Sequence, residues 1–123
     1  MPWAMLGIMM AAALVSPPAA AADIAAGQAL FNRCKICHMT EAGAQSTVGP
    51  NLHGVFGRKA GTLGDFRYSD AMKNSAIVWD DDSIGNYIRD PRGFIPGNRM
   101  AFPGIKDDTE IADLLAYLHQ ATQ

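Results

Sequence analysis

The sequence predicts an all-α domain whose helices are joined by long loops, and three observations carry that prediction. Ile111, Leu114, Leu115 and Leu118 fall on one helical stripe near the C-terminus. Two stretches, 43–64 with six glycines and a proline and 91–104 with Pro91, Gly93, Pro96, Gly97, Pro103 and Gly104, hold too many breakers for regular structure. No period-two alternation signals a strand. With 123 residues, 49% apolar and 18% charged, the chain has room for one globular domain.

Residues 1–22 carry no charged side chain and run apolar through Leu6, Ile8, Met9, Met10, Leu14 and Val15 to Pro17, Pro18 and an alanine run. That order reads as a secretory leader. Ala20 and Ala22 satisfy an Ala-x-Ala cleavage signal, so the mature domain is residues 23–123, beginning at Asp23. An uncleaved anchor is the alternative, and the paired prolines leave an apolar run of about 16 residues, short of the ~20 needed to span a bilayer.

Asp23 caps a first helix in which Leu30, Phe31 and Cys34 share a face. After the loop 43–64, Ser69 caps a short helix over Ala71 to Lys73. Asp82 or Ser83 caps a longer one with Ile84, Tyr87 and Ile88 on one face, and Pro91 ends it. The stretch 91–104 is irregular yet holds Phe94, Ile95, Met100 and Phe102, so it must cover something. The final helix starts at Asp107 or Asp108. These faces are modest for a domain of this size, and a buried planar group would supply the missing apolar bulk.

Cys34-Lys35-Ile36-Cys37-His38 is a C-x-x-C-H pattern. Export places the two cysteines where a pair normally becomes a disulfide. A thioredoxin-like pair wants a βαβ surrounding, and a zinc site wants further ligands, whereas only His53 and His119 remain. Haem attachment accounts for the spacing: two thiols one helical turn apart add to the two vinyl groups, and the adjacent His38 reaches the iron. For a sixth ligand, Met39 lies too close to His38 and Met72 sits in a polar helical stretch. Met100, in the apolar Pro-rich loop, is the choice, although a loop Met taken alone is more often packing. His53 is the other candidate, read by default as solvated.

With those segments placed, the chain resembles the class I cytochromes c, close to the mitochondrial protein and the bacterial c2 group. The resemblance covers the whole mature chain. It rests on Cys34 to His38, on Gly49-Pro50-Asn51-Leu52-His53-Gly54-Val55-Phe56-Gly57-Arg58-Lys59, on Ile95-Pro96-Gly97 with Met100, and on Asp113-Leu114-Leu115-Ala116-Tyr117-Leu118. It implies the class I cytochrome c fold wrapped around one covalent haem c, held through Cys34 and Cys37 and ligated by His38 and Met100. Further roles follow from the resemblance alone. Pro50 presents its carbonyl to the His38 imidazole N–H, which orients a ligand. Tyr87 hydrogen-bonds near the Met100 sulfur. Arg58, Tyr68 and Trp79 surround the buried haem propionates. Gly27 lets the first helix approach the last at Leu114 and Tyr117.

Two departures stand out. Asn98 occupies a place where the family usually carries Thr or Ser, and the chain has only Lys35, Lys59, Lys73 and Lys106 at a formal net charge of −2. That charge excludes a general affinity for nucleic acid. Arg33, Lys35, Arg92, Arg99 and Lys106 flank the haem edge in the family arrangement, and Asp80, Asp81 and Asp82 lie elsewhere, which makes a dipole able to orient an encounter. The expected function is a soluble, monomeric one-electron carrier in the periplasm, and not an enzyme. Its partners are larger redox proteins: a quinol-oxidising cytochrome bc complex, a terminal oxidase, a reaction centre or a periplasmic dehydrogenase. The rivals are a haem enzyme or small-molecule sensor with an open iron position, and a membrane-anchored electron-transfer subunit.

Overall fold

The computed structural model describes residues 2–5, 7–9, 11–12 and 21–123. Half of the predicted leader, residues 1, 6, 10 and 13–20, lies outside the described residues. No helix among them is long and apolar enough to cross a membrane.

Among the described residues five helices follow one another: α1 (Ile24–Phe31), α2 (Asp70–Lys73), α3 (Asp81–Arg89), α4 (Pro91–Phe94) and α5 (Asp108–Ala121). Among the described residues there is no strand, only an isolated bridge between Lys59 and Val78. Asp23, Ser69 and Asp107 cap α1, α2 and α5 by accepting from the third residue onward, each satisfying one otherwise unpaired amide.

Three details differ from the sequence expectation. Helix α1 stops before Cys34, and the chain continues as turns in which Cys34 N–H donates to the Phe31 carbonyl and His38 N–H to that of Cys34, keeping helical spacing across the motif. Asp80, not Asp82 or Ser83, caps α3. Its carboxylate accepts from Ser83 N–H while the Ser83 hydroxyl accepts from Asp80 N–H, a reciprocal capping box. The stretch read as wholly irregular begins with a helical turn, α4. Asp90 accepts from Gly93 N–H, and Pro91 stands at the first position, where its missing N–H is no loss. Pro91 thus ends one helix and opens the next.

The tightest packing joins α1 to α5. A Cβ at Gly27 would lie 2.0 Å from the Asp113 carbonyl oxygen and 2.9 Å from Tyr117 Cβ, so only glycine allows this approach. Phe31 stacks at 5.4 Å on Tyr117 from the same face. Phe31, Trp79, Ile84, Tyr87, Ile95, Ile105, Ile111, Leu114 and Leu118 form the buried core. At ~1.5–3 kcal/mol for each large apolar side chain buried, this cluster supplies the main drive for folding of the polypeptide.

Candidate haem site

A cavity of about 520 Å³ opens against this core. Nine residues that the sequence assigns to the haem site line it: Cys34, Cys37, His38, Pro50, Arg58, Tyr68, Trp79, Tyr87 and Met100. The core residues Phe31, Ile84, Leu114 and Leu118 complete a mostly apolar wall.

His38 is positioned by backbone. Its Nδ1–H donates to the Pro50 carbonyl at 2.8 Å, which leaves Nε2 free as a ligand. Burial lowers the pKa of His38 from 6.5, and the Pro50 hydrogen bond works against that shift. The preceding residues hold the loop in place: Gly49 N–H at 2.8 Å and the Thr47 hydroxyl at 2.9 Å both donate to the Cys37 carbonyl. A Cβ on Gly49 would stand 2.4 Å from His38 Cε1, so glycine is the residue that admits the imidazole.

The cysteines are partly buried and unbridged. Burial pushes the Cys34 thiol up to about 11, with the Arg33 charge opposing and Cys37 adding to the rise. Such a thiol is protonated near neutrality, unlike the nucleophilic thiolate of a redox dithiol. Among the described residues no group of three or more His, Cys, Asp or Glu could hold a metal ion, so the zinc reading lacks its donors.

Met100 is placed by an amide. Asn98 Oδ1 accepts from Met100 N–H at 2.8 Å and from the Tyr87 hydroxyl at 3.1 Å, while Asn98 Nδ2 donates to the Pro91 and Ile95 carbonyls at 2.7 and 2.8 Å. The departure at Asn98 is therefore a four-bonded hub tying the Met100 backbone to α3 and α4. The Tyr87 hydroxyl donates to this hub, two residues before Met100. Burial pushes its pKa up to about 12, so it stays a neutral donor.

Arg58 donates from Nη1 to the Asn51 carbonyl at 3.0 Å and from Nη2 to the His53 carbonyl. Burial raises the Tyr68 pKa from 10.0, while its bonds to Leu63 and Arg58 hold it down. Trp79, 8% exposed, packs its ring 5.3 Å from Tyr87. Of the histidines outside the motif, neither lines the cavity: His53 Nδ1 faces the Thr40 carbonyl, and His119 stacks on Phe56 and bonds Asp81.

Two participants escaped sequence reasoning. Met72 lines the cavity although its helix looked polar, because α2 packs Ala71 and Met72 against the core. Buried Asn51 donates to the Glu41 and Ala44 carbonyls at 2.8 Å and accepts from His53 N–H, holding the 43–64 loop closed. Its place beside Pro50 was the available signal.

Two free thiols, an imidazole with its Nε2 free and a thioether on one mostly apolar cavity form a donor set that fits a covalently held haem. Comparison with known proteins agrees. The sequence profile of the family "Cytochrome c" matches residues 24–122. The chain is 48% identical over 114 residues to "Cytochrome c2" of Blastochloris viridis, covering 93% of this chain and 89% of that one. It is 51% identical over 96 residues to "Cytochrome c-550" of Bradyrhizobium diazoefficiens, covering 78% and 71%. With "Cytochrome c2" of Rhodoplanes tepidamans it shares 52% over 98 residues, covering 80% and 92%.

Proposed function

The chain belongs to the cytochrome c family, and on that premise we propose that His38 and Met100 would hold its haem iron and that it works in the periplasm between larger redox proteins. It carries one haem c held covalently through Cys34 and Cys37, and it is a one-electron carrier. When bound, the haem supplies an Fe(II)/Fe(III) couple that takes up and releases one electron.

The observation that carries the ligand assignment is the single cavity onto which both side chains project from independently braced segments. Nδ1 of His38, bonded to Pro50, raises the donor strength of Nε2. The Met100 thioether favours the reduced state and raises the potential. Apolar walls exclude water and strengthen that preference. Tyr68, Trp79 and Arg58 serve the propionate end of the cavity. Neither His53 nor His119 lines the cavity, and we assign no catalytic residue.

The face that meets a partner lies around the cysteines. Ile36, between them, is 78% exposed and Val48 on the cavity rim is 76% exposed, while Arg33 and Arg99 line the same opening. A small apolar centre with basic neighbours suits a brief electron-transfer contact with an acidic site on a quinol-oxidising complex, oxidase, reaction centre or dehydrogenase.

A potentiometric titration followed by optical spectra, on holoprotein exported from a host that attaches haem, tests the assignment. A high potential with low-spin spectra and the weak ferric iron–thioether band is expected. A high-spin iron that binds carbon monoxide would overturn it and put the enzyme or sensor reading first.

A further inference from the structure

Asp113 is a carboxylate in the wrong place for a solvated charge. It is 8% exposed, on the face of α5 that packs against α1. A buried carboxylate normally needs a cation, because desolvation costs several kcal/mol per ion. Among the described residues the ion pairs are Lys73 with Asp70, Arg89 with Asp108 and His119 with Asp81, and none involves Asp113. Its partner is a main-chain nitrogen: Asp23 N donates to Asp113 Oδ1 at 2.8 Å. Asp23 is the residue at which the sequence places the mature amino terminus, and Ala21 and Ala22 before it are exposed and outside any helix.

We infer that leader removal supplies the missing cation: hydrolysis of the Ala22–Asp23 bond turns the amide that faces Asp113 into an ammonium, and the new terminus locks α1 onto α5 as an ion pair. The inference rests on the leader reading. In the step, a leader peptidase breaks the C–N bond with one water. The hydroxyl goes to the Ala22 carbonyl carbon and a proton to the Asp23 nitrogen. That amine, with an ordinary pKa near 7.7–8.0, takes up a further proton at neutral pH.

The location selects this outcome. A cation at a helix N-terminus is normally unfavourable by ~0.3–1 kcal/mol against the macrodipole. Here two carboxylates reverse the sign. The Asp23 side chain caps α1 by accepting from Ala26 N–H, and Asp113 accepts from the Asp23 nitrogen itself. A charge-assisted bond is roughly twice as strong as the neutral one it replaces. Glycine at position 27 keeps this geometry, because it brings the Asp113 backbone against the first turn of α1. Maturation thus completes the junction between the first and last helices, and a terminus one residue longer would not.

The test compares exported holoproteins. The mass of the wild-type holoprotein fixes its first residue, and a variant with one alanine inserted before Asp23, its extension confirmed by mass, keeps an amide where the wild type has the ammonium. Each is made with Asp113 and with Asp113→Asn, and all four are unfolded in denaturant. With a terminus at Asp23, the alanine extension is expected to lower the folded-to-unfolded ratio about fivefold in the Asp113 background and to leave it unchanged in Asp113→Asn. A terminus elsewhere, or an intact leader, would overturn both the leader reading and this inference. A terminus at Asp23 with equal stabilities, or with the same loss in both backgrounds, would overturn the ion pair alone and leave the leader reading standing. Should Asp113→Asn give no holoprotein, the exchange protection of the α1 amides in the two Asp113 proteins decides, with equal protection overturning the pair.

Discussion

His38 is held in the cavity by main chain and by what is missing from it, a carbonyl at Pro50 and an absent Cβ at Gly49, whereas Met100 is held by one side chain, the amide of Asn98. The His38 segment is also anchored through the cysteines on both sides of Lys35 and Ile36. The Met100 segment has no such anchor, and its placement passes through four hydrogen bonds at a single residue. His38 is thus tied down locally, and Met100 by a hub reaching α3 and α4. Substitutions should therefore break the two halves in different ways.

The largest effect is expected at His38. His38→Ala removes the imidazole proposed to ligate the iron, and no stable low-spin holoprotein should be recovered on export, as read by the yield of covalently bound haem. Next comes Met100→Ala, which should lower the potential on the order of 0.1 V or more, given that axial ligands span about 0.8 V. It should also let the ferrous protein bind carbon monoxide. Met72→Ala, on the same cavity, is the control and should do neither. A reversed result would move the sixth ligand to Met72.

A smaller pair of changes sharpens the contrast. Asn98→Ala strips acceptors from Tyr87 and Met100 and donors from two carbonyls, and is expected to cost about 2–3 kcal/mol in denaturant unfolding and to weaken the iron–thioether band. Gly49→Ala drives a Cβ into the imidazole and should cost about 1–3 kcal/mol by overpacking while leaving that band intact. If both variants perturbed the thioether band equally, the two halves would not be independently braced.

The smallest effect is one of pH. Asp65 accepts from Ser46 N–H at 2.8 Å and from the Ser46 hydroxyl at 2.7 Å, and these bonds hold its carboxyl below the ordinary 3.8. A depressed folded-state pKa means the stabilisation is fully present above 3.8 and is lost as pH falls through the lower folded value. Ser46 in turn accepts from Asn51 N–H, so acid loosens the His38 half. Acid titration of unfolding midpoints should show a slightly shallower decline for Asp65→Asn below about pH 4, without a change at Met100.

Much of this was legible because it is local. The Cys34–His38 spacing encodes a helical turn whatever surrounds it, and the caps at Asp23, Ser69 and Asp107 require only a side chain and an amide three residues on. What failed to be legible turned on competition between neighbours. Pro91 reads as a breaker, yet with Asp90 before it the same residue starts α4. Asp80 outcompeted Asp82 and Ser83 as the α3 cap because Ser83 could return a hydrogen bond to it. Asn98 reads as a departure at a position where the family usually carries a hydroxyl, and only the approach of Tyr87, Pro91 and Ile95 shows which bonds its amide makes.

The helical class, the attachment motif and nine of the residues that line the cavity are readable along the chain, since each depends on spacing or on a family pattern carried by contiguous segments. Only the folded chain shows what those residues face: Met72 on the same cavity as Met100, Asn98 bonded to both Tyr87 and Met100, and Asp113 against Asp23 across 90 residues. Such pairings are fixed by how closely helices can approach, and at Gly27 and Gly49 that closeness depends on a missing Cβ whose counterpart lies elsewhere in the fold.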